Sequence, residues 1–337
     1  IALERRGVTR TRAQSQGLPA QRVFLTGNAV HVRAPQAGPT RQIPGAANAS
    51  RATMTRMECT IRSMSRDEVA MAIEWAADEG WNPGLHDAAC FHAADPDGFL
   101  VAECDGKAVG CISAVSYAGR FGFIGLYIVR PGWRGRGIGL RLWTAGMQRL
   151  SGQVLGLDGV SAQQDNYRKS GFVLAWNNVR FAGTAGAAML DANAPIVPLA
   201  DVDFAALCDD DRRVFPAPRD AFLHCWTAMP DATGLAWLAD GKLAGWGLIR
   251  RCREGQKIGP LVADTPEIAN ALYAALCAAV PAGDTVYLDV PLPNASAVAL
   301  AQAQGLRSVF ETARMYAGPA PACELRLLYG ITSFELG

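Results

Sequence analysis

The sequence predicts an α/β (α+β) chain of two related units, each a mixed, mostly antiparallel twisted sheet flanked by helices. Three observations carry this. Residues 121–129 are an unbroken apolar run, which suits a central strand buried on both faces. Pro131 and Gly132 end it, and from Ile138 the apolar residues Leu140, Trp143, Met147 and Leu150 recur at helical spacing. The pattern then returns. Residues 234–240 with the turn Asp240-Gly241-Lys242 echo residues 98–105 with Asp105-Gly106-Lys107, Leu288-Asp289 echoes Leu157-Asp158, and Gly305 stands where Gly171 stands.

Within the first unit, residues 58–64 alternate as a short strand, and Ser65 with Asp67 and Glu68 caps a helix to about residue 78. Gly80-Trp81-Asn82-Pro83-Gly84 breaks that helix, and a short second helix over 85–91 carries His86 and Asp87. Strands at 99–103 and 108–117 are joined at Asp105-Gly106, a hairpin signal. After the central strand and long helix come a fifth strand at 154–158, a helix at 161–170 and a strand at 172–181 that closes the unit. The domains expected are an extension over 1–56, a first unit at 57–184, a linker at 185–194, a second unit at 195–318, and a tail at 319–337 apolar enough to pack.

Composition narrows the class. The chain has 337 residues, half of them apolar, enough for a large core in two domains. Net charge is +1, yet residues 1–56 hold nine Arg, no Lys and one acid. Their composition predicts disorder. It also suits a transit peptide, a nucleic-acid arm, or residues upstream of a true start near Met54 or Met57. Nine Cys without paired spacing and only four His suggest neither a disulfide framework nor a metal site, and reduced cytoplasmic thiols are the simpler expectation. No run is long enough to span a membrane.

The turn after the central strand reads Arg130-Pro131-Gly132-Trp133-Arg134-Gly135-Arg136-Gly137-Ile138-Gly139. A glycine turn opening a helix leaves backbone N–H groups unpaired where the helix dipole favours an anion, so this stretch can bind phosphate. A P-loop would need Lys and Ser or Thr after its last glycine, and a dinucleotide fingerprint would need Gly-x-Gly-x-x-Gly. Neither fits. Arg-x-x-Gly-x-Gly, formed by Arg134, Gly137 and Gly139 behind this strand, resembles the coenzyme A pyrophosphate loop of the GNAT superfamily of N-acetyltransferases. The element order is also that of the GNAT fold. The chain is similar to tandem GNAT proteins whose second domain keeps the fold without the cofactor loop. In the copy, residues 256–262 run straight into Asp264-Thr265-Pro266-Glu267, where Asp264 can cap a helix in the place of phosphate.

The resemblance implies acetyl-coenzyme A as cofactor, with Leu126, Tyr127 and Ile128 on the central strand, Arg134 to Gly139 (including Gly135, Arg136 and Ile138), and Asn166 as its binding residues. It implies an oxyanion donor among the N–H groups of 126–128. Tyr167, four residues before Gly171-Phe172, matches the family's general acid toward the coenzyme A sulfur. For a base the candidates are Glu103 and His86, or none, with protons leaving through water. Trp81, Asn82, His86 and Asp87 sit where the family builds its acceptor site. Arg212 and Trp226, near Asp211, Arg213, Arg219 and His224, are placed to wall that site from the second unit. The expected protein is a cytoplasmic N-acetyltransferase, monomer or homodimer, that acts on a small amine without nucleic-acid or membrane partners. The alternatives are an acyl-coenzyme A sensor or scaffold, and a protein lysine or N-terminal acetyltransferase.

Overall fold

The computed structural model describes residues 58–186 and 193–337. The expectations for residues 1–56, and for most of the linker, lie outside the described residues. Elements follow in the order β1 (Cys59–Ser63), α1 (Arg66–Asp78), α2 (Asp87–Ala94), β2 (Phe99–Cys104), β3 (Lys107–Tyr117), β4 (Phe121–Val129), α3 (Ile138–Arg149), β5 (Val154–Val160), α4 (Gln164–Lys169) and β6 (Val173–Thr184). The second half repeats them as β7 (Ile196–Pro198), α5 (Phe204–Val214), α6 (Asp220–Thr227), β8 (Ala232–Ala239), β9 (Lys242–Arg251), β10 (Gln256–Ala263), α7 (Pro266–Ala278), β11 (Thr285–Pro291), α8 (Ala295–Ala303) and β12 (Arg307–Ala317), followed by β13 (Leu328–Gly330).

Local chemistry explains the boundaries. Ser65 and Glu68 close a capping box on α1, each side chain bonding the other's backbone N–H. Asp105 and Asp240 both take φ of 50° and are followed by glycines at φ of 73° and 74°, the geometry a tight hairpin with right-handed twist demands. Helix α7 is capped by Thr265, whose side chain accepts from Ile268 N, with Pro266 at the first helical position. Asp264, the cap expected from the sequence, instead pairs with Arg213 at 2.9 Å. Helix α2 starts at Asp87, two residues later than expected, and His86 occupies its N-cap.

All strands of the described residues join one sheet, in the order β1-β2-β3-β4-β5-β12-β6-β11-β10-β9-β8-β7, with β13 on β10. Strand β6 does not close the first unit, as the sequence suggested. Strand β12 stands between β5 and β6, while the other edge of β6 pairs with β11. Each half therefore receives the last strand of the other. Helices α1, α2, α5 and α6 share one core on what is here termed the inner face, through Phe91, Phe222, Trp226 and Trp246. On the outer face, α3 covers the first half, and α7 with α8 covers the second. The tail is buried through Leu327, Tyr329, Ile331, Phe334 and Leu336.

Three buried ion pairs cross between the halves on the inner face. Asp87 accepts from Arg250 at 2.8 and 3.2 Å, Asp289 from Arg180 at 2.7 and 2.8 Å, and Asp158 from Arg314 at 2.7 and 2.6 Å. Contrary to the reduced state expected for all nine cysteines, Cys59 and Cys104 form a disulfide across directly paired positions of β1 and β2. No described helix is long and apolar enough to cross a membrane.

Asp87 and Arg250 are each 1% exposed. Asp87→Ala should destabilise the fold by about 3–5 kcal/mol in urea unfolding, because the guanidinium stays buried without its partner, whereas Asp87→Leu with Arg250→Met should recover most of the loss. Burial raises the Asp87 pKa, but the Arg250 charge and hydrogen bonds outweigh it, and the net shift is downward. Its contribution is thus full above the ordinary aspartate pKa of about 4 and is lost as the pH falls through its own lower value, so the gap between wild type and Asp87→Ala should narrow only in acid.

Candidate active site

Strands β4 and β5 run parallel from Phe121–Val154 to Ile124–Leu157, where their pairing stops. Just beyond that point β4 carries a bulge. The β3–β4 register slips between Ile128 and Gly125, and Leu126 takes a φ of 43°, a left-handed conformation uncommon for a branched residue. Phe123 faces the inner core and Ile124 the outer. After the slip Leu126 and Ile128 face inward and Tyr127 outward, so the backbone at 125–128 is turned relative to the rest of the strand. Gly125 is forced to be glycine because a Cβ there would collide with the backbone of Glu335 in the tail.

At the end of β4 the chain makes one 3₁₀ turn over Pro131–Trp133, and Gly135 and Gly137 follow at φ of 75° and 78°. Helix α3 begins after Gly137 with no side-chain cap, so its first N–H groups stay free for an anion. A Cβ at Gly135 or Gly137 would meet nothing within 4 Å, and one at Gly139 would lie 2.7 Å from Tyr127 Oη. The loop is a shallow, exposed cradle. Arg136 is exposed, its guanidinium 5.1 Å from the Trp133 ring. Arg134 is partly committed: Nε donates to Val129 O at 2.7 Å and Nη2 pairs with Glu79. Ile138 is buried beneath the loop.

Tyr167 lies on the outer face. Its ring rests where a Cβ on Gly159 would be, and it contacts Trp143, which also touches Tyr127 and Phe172. Burial, and next the nearby Tyr127, push the Tyr167 phenol up to about 12. Asn166 is exposed and donates to Gln163 Oε1 at 2.6 Å. Strand β4, loop 134–139 and α4 thus bring the bulge, the anion cradle and Tyr167 to the end of the sheet where β4 and β5 part.

The other predicted residues lie elsewhere. Glu103 is bound to Arg62 at 2.6 Å on the β1–β2 edge, beside the Arg62–Glu68 pair. His86 Nε2 is 3.1 Å from Asp231 Oδ2 in a surface groove. Asn82 is locked to the β9–β10 turn, exchanging hydrogen bonds with Glu254 and accepting from Lys257 Nζ at 2.8 Å through its carbonyl. Trp81 O accepts from Arg180 Nη1. This segment holds the halves together, a structural use of the polar groups read as a pocket wall. Trp226, expected to wall the acceptor site, is fully buried in the shared core, with Nε1 donating to Gly259 O. Arg212 is exposed and paired with Asp209 and Asp220. The sequence reading missed Glu335 and Lys257, both almost fully buried on the inner face, where burial raises the Glu335 carboxyl and lowers the Lys257 ammonium. A Glu inside an apolar tail was the one available signal.

The corresponding cleft of the second half is filled. Strands β10 and β11 part after Ile258–Leu288, and β13 enters there, Gly330 opposite Leu261, with Ile331 N donating to Asp289 O of β11.

A glycine loop that can take an anion thus stands beside a bulged parallel pair with a tyrosine packed on its second strand. Residues 67–172 match the family model described as Acetyltransferase (GNAT) family, and 207–330 the model described as Acetyltransferase (GNAT) domain. The chain is 30% identical over 278 residues to Holothin acyltransferase of Pseudoalteromonas sp. (strain SANK 73390), a match spanning 82% of this chain and 94% of that protein. A Pyrococcus horikoshii structure whose acetyltransferase assignment is itself provisional superposes with TM-score 0.71 at 21% identity, over 86% of this chain and all of the other. A tandem GNAT protein from the clavulanic acid biosynthesis pathway does so with TM-score 0.56 at 15% identity, over 78% and 100%. The chain belongs to the GNAT family, as a tandem acyltransferase.

Calorimetry should therefore find one equivalent of coenzyme A per chain, and two would refute the reading of β13 as an occupant of the second cleft. Gly137→Val, strained at φ of 78°, should weaken that binding at least ~10-fold with the far-UV spectrum unchanged.

Proposed function

We propose that the first half moves an acetyl group from acetyl-coenzyme A to a primary amine of a small molecule by direct attack in a ternary complex. The observation that carries this reading is the place of Tyr167, packed on Gly159 two residues past the last β4–β5 pair. The donor, when bound, supplies the acyl thioester; Gly135, Gly137 and the open start of α3 would hold its phosphates, and the 125–128 bulge would border its acyl end. Tyr167 Oη keeps its proton well above neutral pH and can give it to a departing thiolate. Glu103 is spent on Arg62 and His86 on Asp231, so the amine enters as the free base and loses its proton to water. The likeness to Holothin acyltransferase over nearly all of that protein supports a small-molecule acceptor, and holothin is the first acceptor to try.

Release of free coenzyme A over a panel of amines that includes holothin tests the assignment; no turnover with any of them, alongside intact donor binding, would favour an acyl-coenzyme A sensor. Tyr167→Phe should lower kcat by ~10²-fold or more with donor affinity nearly intact. Since an acid must be protonated to act, the ratio of wild-type to Tyr167→Phe rates should hold from neutral pH upward and shrink only as the pH nears about 12.

A further inference from the structure

We propose that Cys90 and Cys225 form a thiol–disulfide exchange site that takes low-molecular-weight disulfides and closes into a bond between α2 and α6. The two sulfurs lie 2.7 Å apart, one from each half of the chain, 135 residues distant in sequence. A disulfide bond is about 2.05 Å long, so a shift of well under 1 Å joins them. Among the described residues no other pair of free thiols is in contact. Both line a groove of about 630 Å³ together with Leu85, His86, His224 and Met229, a volume that can hold a small disulfide.

The two thiols are unequal. Cys225 is half-buried and opens to the groove, whereas Cys90 is buried. Burial, and next the sulfur of Cys225, hold the Cys90 thiol above its ordinary range, so it stays protonated while Cys225 meets the reagent. The Cys225 thiolate attacks one sulfur of the small disulfide, forms a mixed disulfide and expels a thiolate. Cys90 then gives up its proton and attacks the Cys225 sulfur, expelling the second thiolate. The small disulfide gains two electrons, and the protein loses two hydrogens. Metal binding is not the better account, because among the described residues no three His, Cys, Asp or Glu converge on a point. The bond would tie α2, which begins at the Asp87–Arg250 pair, to a helix of the other half.

Glutathione disulfide is the probe, applied to the full chain and followed by alkylation, denaturation and peptide mapping. Wild type should lose two thiols, become two hydrogens lighter, and yield a peptide pair joined through Cys90 and Cys225 that dithiothreitol separates. Its Tm should rise by about 5 °C or more, as for closure of a long loop. Cys90→Ser should stop at a glutathione adduct on Cys225, and Cys225→Ser should leave Cys90 unmodified. A wild type that ends with glutathione on Cys225 and Cys90 free, or that reacts at neither, overturns the proposal. Should Cys90→Ser not fold, the wild-type map alone decides.

Discussion

The fold depends on the three buried Arg–Asp pairs that cross from one half to the other. Each joins an element of the first half, α2, β6 or β5, to a strand of the second, β9, β11 or β12. Burying two charges costs several kcal/mol per ion, and the bidentate hydrogen bonds of each pair offset much of it, although Arg250 Nη1 stays buried without a partner. Pairs of this kind contribute little net stability but penalise every other arrangement. Slipping β6 by one residue would turn Arg180 to the outer face, among Val179, Phe181 and Leu288. The exchange of β6 and β12 is thereby held in one register, and the halves fold as one unit with a common inner core.

That constraint also accounts for what the sequence could not show. Features closed within a few residues were legible: the Ser65–Glu68 box, the Asp-Gly hairpins, the glycine loop before α3 and the helix that ends at Gly171. Features whose partners lie far along the chain were not. Asp87 reads as a polar residue of a short helix at an acceptor site until Arg250, 163 positions away, is placed on it. Trp226 looks like a surface aromatic beside charged neighbours, yet it is sealed between Phe91 and Phe222 under the Arg250 guanidinium. Strand exchange has no local signal at all, since β6 and β12 would show the same alternation in either place. Asp264 was misread for a subtler reason: two adjacent residues can each cap α7, and Arg213 claims the acid.

The candidate site divides along the same line. Its anion loop is a property of a single segment and is legible in the chain itself, whereas Tyr167 stands out only through the resemblance of its helix to the family's. The bulge at Leu126 depends on register against β3, and the closeness of Gly125 to the tail depends on where residue 335 returns, so neither could be derived from the strand itself.

Comparison of the two halves shows where the second departs from the first. The bulge survives in both. Strand β10 slips against β9 between Ile258 and Leu261, as β4 slips against β3 between Gly125 and Ile128. Aligning the last parallel pairs sets Ile124 with Ile258, Gly125 with Gly259 and Leu126 with Pro260. Proline carries no N–H, so the backbone donor present at this position in the first half has no counterpart in the second. Gly259 O is meanwhile held by the Trp226 indole, and the slot beyond is occupied by β13. Where the first half leaves its anion loop uncapped, the second spends Thr265 on its own helix. Loop, donor and slot are each closed by a different residue, and restoring any one of them would leave the other two shut. The second half keeps the framework because the framework is shared: β12 is the neighbour that β5 needs, and without it the edge of the open cleft would have no partner.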